Sequence, residues 1–132
     1  MNHTPNYQLS QWAKSDRVLM DDFNADNAKI DAAIAAKVAI VTGTYKGDGQ
    51  EFRFIDLGFT PKALFVTTAS GVTASPSSII HYGGMALPDH PVTYDHDPVV
   101  AIVENGFQVT YRSGNHILSN ENNTEFFYLA LK

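Results

Sequence analysis

The residues best suited to chemistry lie close together, in the segment from Pro88 to Pro98. It contains three prolines, two histidines and three aspartates in eleven residues. Imidazole and carboxylate groups suit zinc and other divalent ions. These groups, with one histidine shortly before the segment, are His81, Asp89, His90, Asp95, His96 and Asp97. Their spacing matches no metal signature such as HExxH, so we predict a polar surface loop and no metal site.

The same region offers the groups that sugar recognition needs. A pyranose requires a flat aromatic face for its apolar side and convergent polar side chains for its hydroxyls. The best available set, drawn from predicted loops and strand ends, is Tyr82, Tyr94, Asp95, His96, Asp97, Arg112, Asn115 and His116. A second explanation stays open for Tyr82 and Tyr94, because either ring could pack at the core edge or at a subunit contact.

Motifs for catalysis are absent. The chain has no cysteine and no GxSxG sequence, and Asp95 and Asp97 lie in a loop that does not fix the carboxylate spacing needed for glycoside hydrolysis. The Gly47-Asp48-Gly49 sequence lacks the other ligands of a calcium loop and predicts a hairpin turn. We therefore predict a protein that is not an enzyme and that requires no metal or cofactor.

Composition limits the partners. The 132 residues include 9 Lys and Arg against 14 Asp and Glu, which gives a net charge of -5. An acidic chain without basic runs disfavours nucleic acid and membrane surfaces. The N-terminus lacks the features of a signal peptide, so we expect synthesis in the cytoplasm without export by the general route.

The chain divides near Val38 into a helical part and a β-rich part. Residues 16–37 contain no Gly or Pro, and Ser15 or Asp16 could cap a helix that begins there. The large apolar residues of this helix follow a 4-3-4 spacing with one polar position, which is typical of a narrow coiled-coil seam. The seam residues are Phe23, Asn27, Ile30 and Ile34.

Two arrangements are open for this helix. It could cover its own chain's sheet, or identical helices could associate in a short parallel bundle. We favour association, because the seam is narrow and the polar face is wide. Before the helix, Tyr7, Leu9 and Trp12 are apolar residues in a polar, extended segment, which predicts that another protein covers them.

The rest of the chain, residues 38–132, predicts short strands and no second helix. Asn105-Gly106 indicates a tight hairpin, and the apolar run from Ala63 to Thr68 indicates a central strand. The predicted strands are residues 38–45, 52–56, 63–68, 79–87, 99–103, 107–111 and 126–131. Strands of this number and length predict an antiparallel β-sandwich.

Several motifs resemble those of phage and prophage tail proteins. YQLSQW at residues 7–12 and FNADNAKIDAAI at residues 23–34 are similar to the N-terminal attachment segment, whose helix typically reads FNxNxxxIDxAI. GTYKGDG at residues 43–49 and LGFTPKALFV at residues 57–66 resemble the terminal domain of tail fibres, as do GFQV at 106–109 and FFYLA at 126–130.

The resemblance implies a homotrimeric tail-fibre or tail-tip protein of a phage or phage-derived particle. Residues 1–37 would attach to other tail or baseplate proteins and form the trimeric coiled coil. Residues 38–132 would form a head that binds a bacterial surface receptor, which we expect to be a glycan. No segment matches the long shaft of many relatives, so the protein would be a short tip. The alternative is a structural tip or baseplate adaptor that binds no receptor.

Overall fold

The computed structural model describes residues 1–77 and 79–132, and it is mainly β. Contacts between residues divide the chain into two compact units, Met1–Val38 and Ala39–Lys132, which we call the helical unit and the β unit. The described residues contain one α-helix, and the paired strands are antiparallel. The prediction of a mainly β fold with one N-terminal helix is therefore confirmed, whereas the trimeric coiled coil stays a prediction.

The helical unit consists of a small hairpin and a helix. Strands β1 (Asn2–His3) and β2 (Ser10–Gln11) pair with each other, and helix α1 covers Met20–Ala35. The predicted start at Ser15 or Asp16 is wrong, because Asp16 Oδ2 instead accepts a hydrogen bond from the Ala13 amide at 2.8 Å. Leu19 precedes the helix and provides no side-chain cap.

The β unit contains nine strands among the described residues. They are β3 (Ile40–Lys46), β4 (Phe52–Asp56), β5 (Ala63–Thr68), β6 (Gly84–Ala86), β7 (Val92–Tyr94), β8 (Asp97–Val103), β9 (Gly106–Arg112), β10 (Ile117–Leu118) and β11 (Glu125–Leu131). One sheet has the order β3-β11-β5-β6. In the other sheet β9 pairs with β4, β8 and β10, and β7 pairs with β8. The apolar strand β5 lies inside its sheet, as its composition predicted.

Both sheets contribute to one hydrophobic core. Leu64, Val66 and Phe126 come from the first sheet, and Phe107 and Val109 come from the second, with each side chain almost fully buried. The ring of Tyr45 lies 4.9 Å from that of Phe126 and 5.9 Å from that of Phe107, measured between centroids. The sheets therefore pack against each other through apolar inner faces, as the alternation of apolar residues in their strands requires.

The Gly47-Asp48-Gly49 segment connects the two sheets, so the predicted hairpin is wrong. The strand before it pairs with β11 and the strand after it pairs with β9. The Gly47 amide donates to the Thr124 carbonyl at 2.8 Å, and Gly47 lies so close to the Glu121 backbone that no Cβ would fit. The local sequence specified a turn but could not specify which strands it joined.

Two further predictions are corrected between residues 79 and 98. The predicted strand 79–87 is reduced to β6, because Gly83 approaches the Val66 carbonyl too closely for a side chain and Gly84 has a φ of 138°. The predicted loop from Pro88 to Pro98 instead includes all of β7 and the start of β8. These two strands form a short hairpin that presents the candidate site.

Candidate functional site

A tight turn at Asp95-His96 positions the candidate site. Tyr94 and Asp97 are paired across the β7–β8 hairpin, and the two residues between them have φ angles of 49° and 69°. Positive φ at both central positions is the signature of a type I′ turn, which suits the twist of paired strands. The turn leaves the side chains of Asp95 and His96 exposed at its tip.

Asp97 and Arg112 form the charged part of the site. The Arg112 Nη1 lies 3.0 Å from Asp97 Oδ1, and Asn115 Nδ2 donates to Asp97 Oδ2 at 2.8 Å. The Arg112 Nε donates to Glu51 Oε1 at 2.8 Å, and its guanidinium lies 5.0 Å from the centre of the Phe52 ring. The hydrogen bond from Asn115, followed by that from Arg112, lowers the pKa of Asp97.

An aromatic pair joins this hairpin to the segment before β6. The rings of His81 and Tyr94 are stacked with centroids 4.3 Å apart. The His81 backbone is held in place, since its amide donates to the His116 carbonyl and its own carbonyl accepts from the Leu118 amide, each at 2.8 Å. Both residues are half-buried, so each keeps part of its surface accessible.

The structure brings together only part of the predicted set. Tyr94, Asp97, Arg112 and Asn115 form one cluster with the turn residues. Tyr82 packs against the core and lines a different groove with residues that include Thr68 and Glu121. Tyr94 also packs against the core, so the alternative explanation for both tyrosines stays open.

Sequence reasoning missed two members of the cluster. Glu51 and Phe52 reach Arg112 because β4 pairs with β9, and the Tyr111 amide donates to the Glu51 carbonyl at 3.0 Å. No local signal in the sequence reveals this pairing. The sequence pattern indicates His81 only as a candidate metal ligand. Among residues 1–77 and 79–132, no group of three or more His, Asp or Glu side chains is arranged to hold a metal ion.

The predicted seam of α1 is exposed in the single chain. Side chains of Phe23 and Ile34 keep 54% and 67% of their surface accessible, and Asn27 and Ile30 are also exposed. The N-terminal segment approaches the helix beside this seam, where the Ser10 amide donates to the Asp26 carboxylate at 3.0 Å. The seam residues therefore keep much of their surface accessible, although the N-terminal segment contacts Phe23 and borders Ile30 and Ile34.

The segment before the helix is folded back and is not extended as predicted. Trp12 stacks on Phe23 with ring centroids 6.2 Å apart, and Lys29 Nζ donates to the Gln8 carbonyl at 2.6 Å. Tyr7 and Leu9 line a largely apolar groove of about 250 Å³ together with Ile30 and Ile34. Trp12 is thus partly covered by its own chain, while Tyr7 stays exposed.

No helix in the described part of the chain is both long and apolar enough to cross a membrane. Comparisons with protein-family models, with curated proteins and with solved structures found no match to this chain. The resemblance to phage tail proteins therefore remains a prediction from the sequence motifs.

Proposed function

We propose that this chain is a homotrimeric attachment protein of a phage tail or phage-derived particle, whose β unit binds a bacterial surface glycan. The observation that carries the proposal is the exposed apolar seam of α1, on a unit separate from the β unit. Three parallel helices would bury this seam and hold three β units at one end. The protein would be made in the bacterial cytoplasm and be located in the particle's tail.

In this proposal the β7–β8 hairpin contacts the glycan. The stacked His81 and Tyr94 rings support one face of a sugar, and the turn side chains Asp95 and His96 supply hydrogen-bonding groups. Each trimer would present the hairpin three times, so that weak binding at one site becomes useful avidity on a repetitive surface. Other tail or baseplate proteins would contact the helical unit, with Tyr7, Leu9 and the exposed part of Trp12 as the contact residues.

One observation favours a second function, that of a structural adaptor. Both carboxylate oxygens of Asp97 and two nitrogens of Arg112 are already paired within the chain. Groups that are satisfied internally stabilise a fold and are less available to a ligand. An adaptor would assemble into particles and form the same trimer without binding glycans.

Mass in solution and glycan binding test the proposal together. We expect a trimer by light scattering and binding to members of a panel of bacterial lipopolysaccharides and capsular polysaccharides. Replacing the turn by Asp95→Gly and His96→Gly removes both side chains and tolerates positive φ. The glycan affinity should fall at least about tenfold with the trimer intact.

The matched control changes the other Asp-His pair of the same segment, Asp89→Ala and His90→Ala, and should bind as wild type does. A monomeric wild-type protein would overturn the trimer. A trimer that binds no glycan would favour the adaptor, and unchanged binding by the turn variant would place the receptor site elsewhere.

A further inference from the structure

The N-terminal segment, residues 1–16, folds back onto one side of α1. It contains the β1–β2 pair, where the Thr4 amide donates to the Leu9 carbonyl at 2.8 Å and the Leu9 amide donates to Thr4 Oγ1 at 2.9 Å. The amino group of Met1 lies 3.7 Å from Asp16 Oδ2, so the two ends of the segment are close together. The segment is therefore a closed loop with its own hydrogen bonds, and we call it the strap.

Polar contacts attach the strap to the helix. The Ser10 amide donates to both carboxylate oxygens of Asp26, at 3.0 and 3.1 Å, and the Asp26 side chain is only 16% exposed. Lys29 Nζ donates to the Gln8 carbonyl at 2.6 Å and lies 3.7 Å from Asp26 Oδ1. Hydrogen bonds to charged groups stabilise more than those between neutral groups, so Asp26 anchors the strap.

Apolar contacts attach the strap to the same part of the helix. The Trp12 ring stacks on the Phe23 ring with 6.2 Å between their centroids. Tyr7 and Leu9 line a groove of about 250 Å³, and Ala33 is among the helix residues that line it with them. The strap thus contacts the helix through both ends of a surface that runs along one side of the seam.

The coiled-coil positions of the helix residues identify the covered side. The 4-3-4 spacing places the four seam residues at the a and d positions, so that Asp26 and Ala33 are g positions and Asn24 and Asp31 are e positions. Between neighbouring helices of a parallel bundle, the g side of one faces the e side of the next. Asp26 and Ala33 are partly buried in the single chain, whereas Asn24 and Asp31 are exposed. The strap therefore covers a side on which a neighbouring helix would pack.

We propose that the strap is an autoinhibitory segment that competes with a neighbouring helix for the g side of α1. This inference rests on the proposed trimer and assigns its regulation. In the single chain the strap is closed, and in the trimer it leaves Asp26 and Phe23, so three straps open for each trimer formed. A protein of the particle that binds the released Tyr7 and Leu9 would hold the strap open, and attachment would then promote trimerisation.

The Asp26→Ala variant of the full-length chain tests the competition, by light scattering over a dilution series. It removes the acceptor of the Ser10 amide and should favour opening of the strap at least about tenfold in each chain. Because three straps open for each trimer, the concentration at which half of the trimer dissociates should fall at least about tenfold. Loss of a contact made within the single chain would thus strengthen the trimer.

Asp31→Ala is the matched control for this variant. It removes the same charge from the e side, which faces the g side of the next helix, so any relief of repulsion between helices is common to both variants. Asp31 is exposed and lies on the opposite side of the seam from the strap. The dissociation concentration of Asp31→Ala should therefore stay at least about tenfold above that of Asp26→Ala.

Trp12 provides an independent measurement, because it is the one tryptophan of the chain. Its ring is partly buried against Phe23 when the strap is closed, and it should be more exposed in the trimer. Diluting the wild-type trimer through its dissociation should therefore shift the tryptophan emission to shorter wavelengths, as the ring returns to Phe23.

The outcomes separate the strap from the proposed function. A wild-type trimer whose dissociation concentration is the same in Asp26→Ala and Asp31→Ala, or is higher in Asp26→Ala, overturns the strap and leaves the helix trimer standing. Tryptophan emission that stays constant through dissociation also overturns the strap. Wild-type and Asp26→Ala proteins that are both monomeric at every concentration overturn the trimer itself.

Discussion

At the scale of the single residue, Asn120 holds the corner between the two sheets. Its side chain is fully buried, and Nδ2 donates to Asp48 Oδ1 at 2.6 Å and to the Gln50 carbonyl at 3.0 Å. Its backbone carbonyl accepts from the Gly49 amide at 2.9 Å. The hydrogen bond from the Gln50 amide, followed by that from Asn120, lowers the pKa of Asp48. A buried amide with several partners is costly to remove.

The Asn120→Ala variant should therefore lose about 2 to 3 kcal/mol of unfolding free energy. Alanine removes the donors to Asp48 and Gln50 and leaves a polar cavity at the corner. Urea unfolding followed by circular dichroism measures the loss. Asn122→Ala, at an exposed position two residues later, should stay within about 0.5 kcal/mol of wild type. Equal losses in the two variants would refute the role of Asn120.

The lowered pKa of Asp97 predicts acid sensitivity of the β unit. A carboxyl group with a lower pKa when folded contributes stability above its ordinary pKa of about 3.9. That contribution is lost as the pH falls below this ordinary pKa and then through the lower pKa that the carboxyl has in the folded state. Asp97→Asn should therefore reduce the drop in melting temperature between about pH 6 and about pH 3. Asp89→Asn, outside the Arg112 cluster, should keep the wild-type drop, and an Asp97→Asn protein as acid-sensitive as wild type would contradict the prediction.

At the scale of the element, the sequence predicts strands well where its pattern is strong. The alternation in β4 and the apolar run of β5 match the structure from first to last residue. The sequence could not predict β7, because its three residues lie among prolines and charged residues. It places Arg112 and Asp97 in one candidate set but could not predict their ion pair, because that contact depends on long-range strand pairing. Local signals thus define elements, whereas tertiary contacts decide their partners.

The type I′ turn of the β7–β8 hairpin gives a prediction about stability. Neither Asp95 nor His96 is the best residue for positive φ, and Asn-Gly is preferred in such turns. Asp95→Asn with His96→Gly should stabilise the β unit by about 1 kcal/mol, measured by thermal unfolding. The same change at Asp89 and His90, which do not have positive φ, should give no gain. A loss of stability at the turn, or an equal gain at both places, would contradict this explanation.

At the scale of the whole molecule, the two units leave different surfaces without partners. The helical unit exposes the α1 seam, and the β unit exposes apolar residues of the sheet β3-β11-β5-β6, among them Phe65, Met85 and Phe127. Burying apolar surface contributes roughly 25 cal/mol per Å², so a chain that exposes two such surfaces gains stability from association. Trimerisation of α1, as proposed above, would cover the first of these surfaces.

The last prediction separates association from folding. Ile30→Asp places three like charges at the proposed axis, where burial makes an unpaired carboxylate costly, so the trimer should dissociate. The β unit should remain folded, because its core contains no residue of α1. Light scattering measures the mass, and the aromatic circular dichroism of the tyrosines reports on the β unit. Ala28→Asp adds the same charge at an exposed helix position away from the seam and should stay trimeric. An Ile30→Asp protein with the mass and melting temperature of wild type would refute the seam, and loss of the tyrosine signal would show that the β unit depends on the helix for its fold.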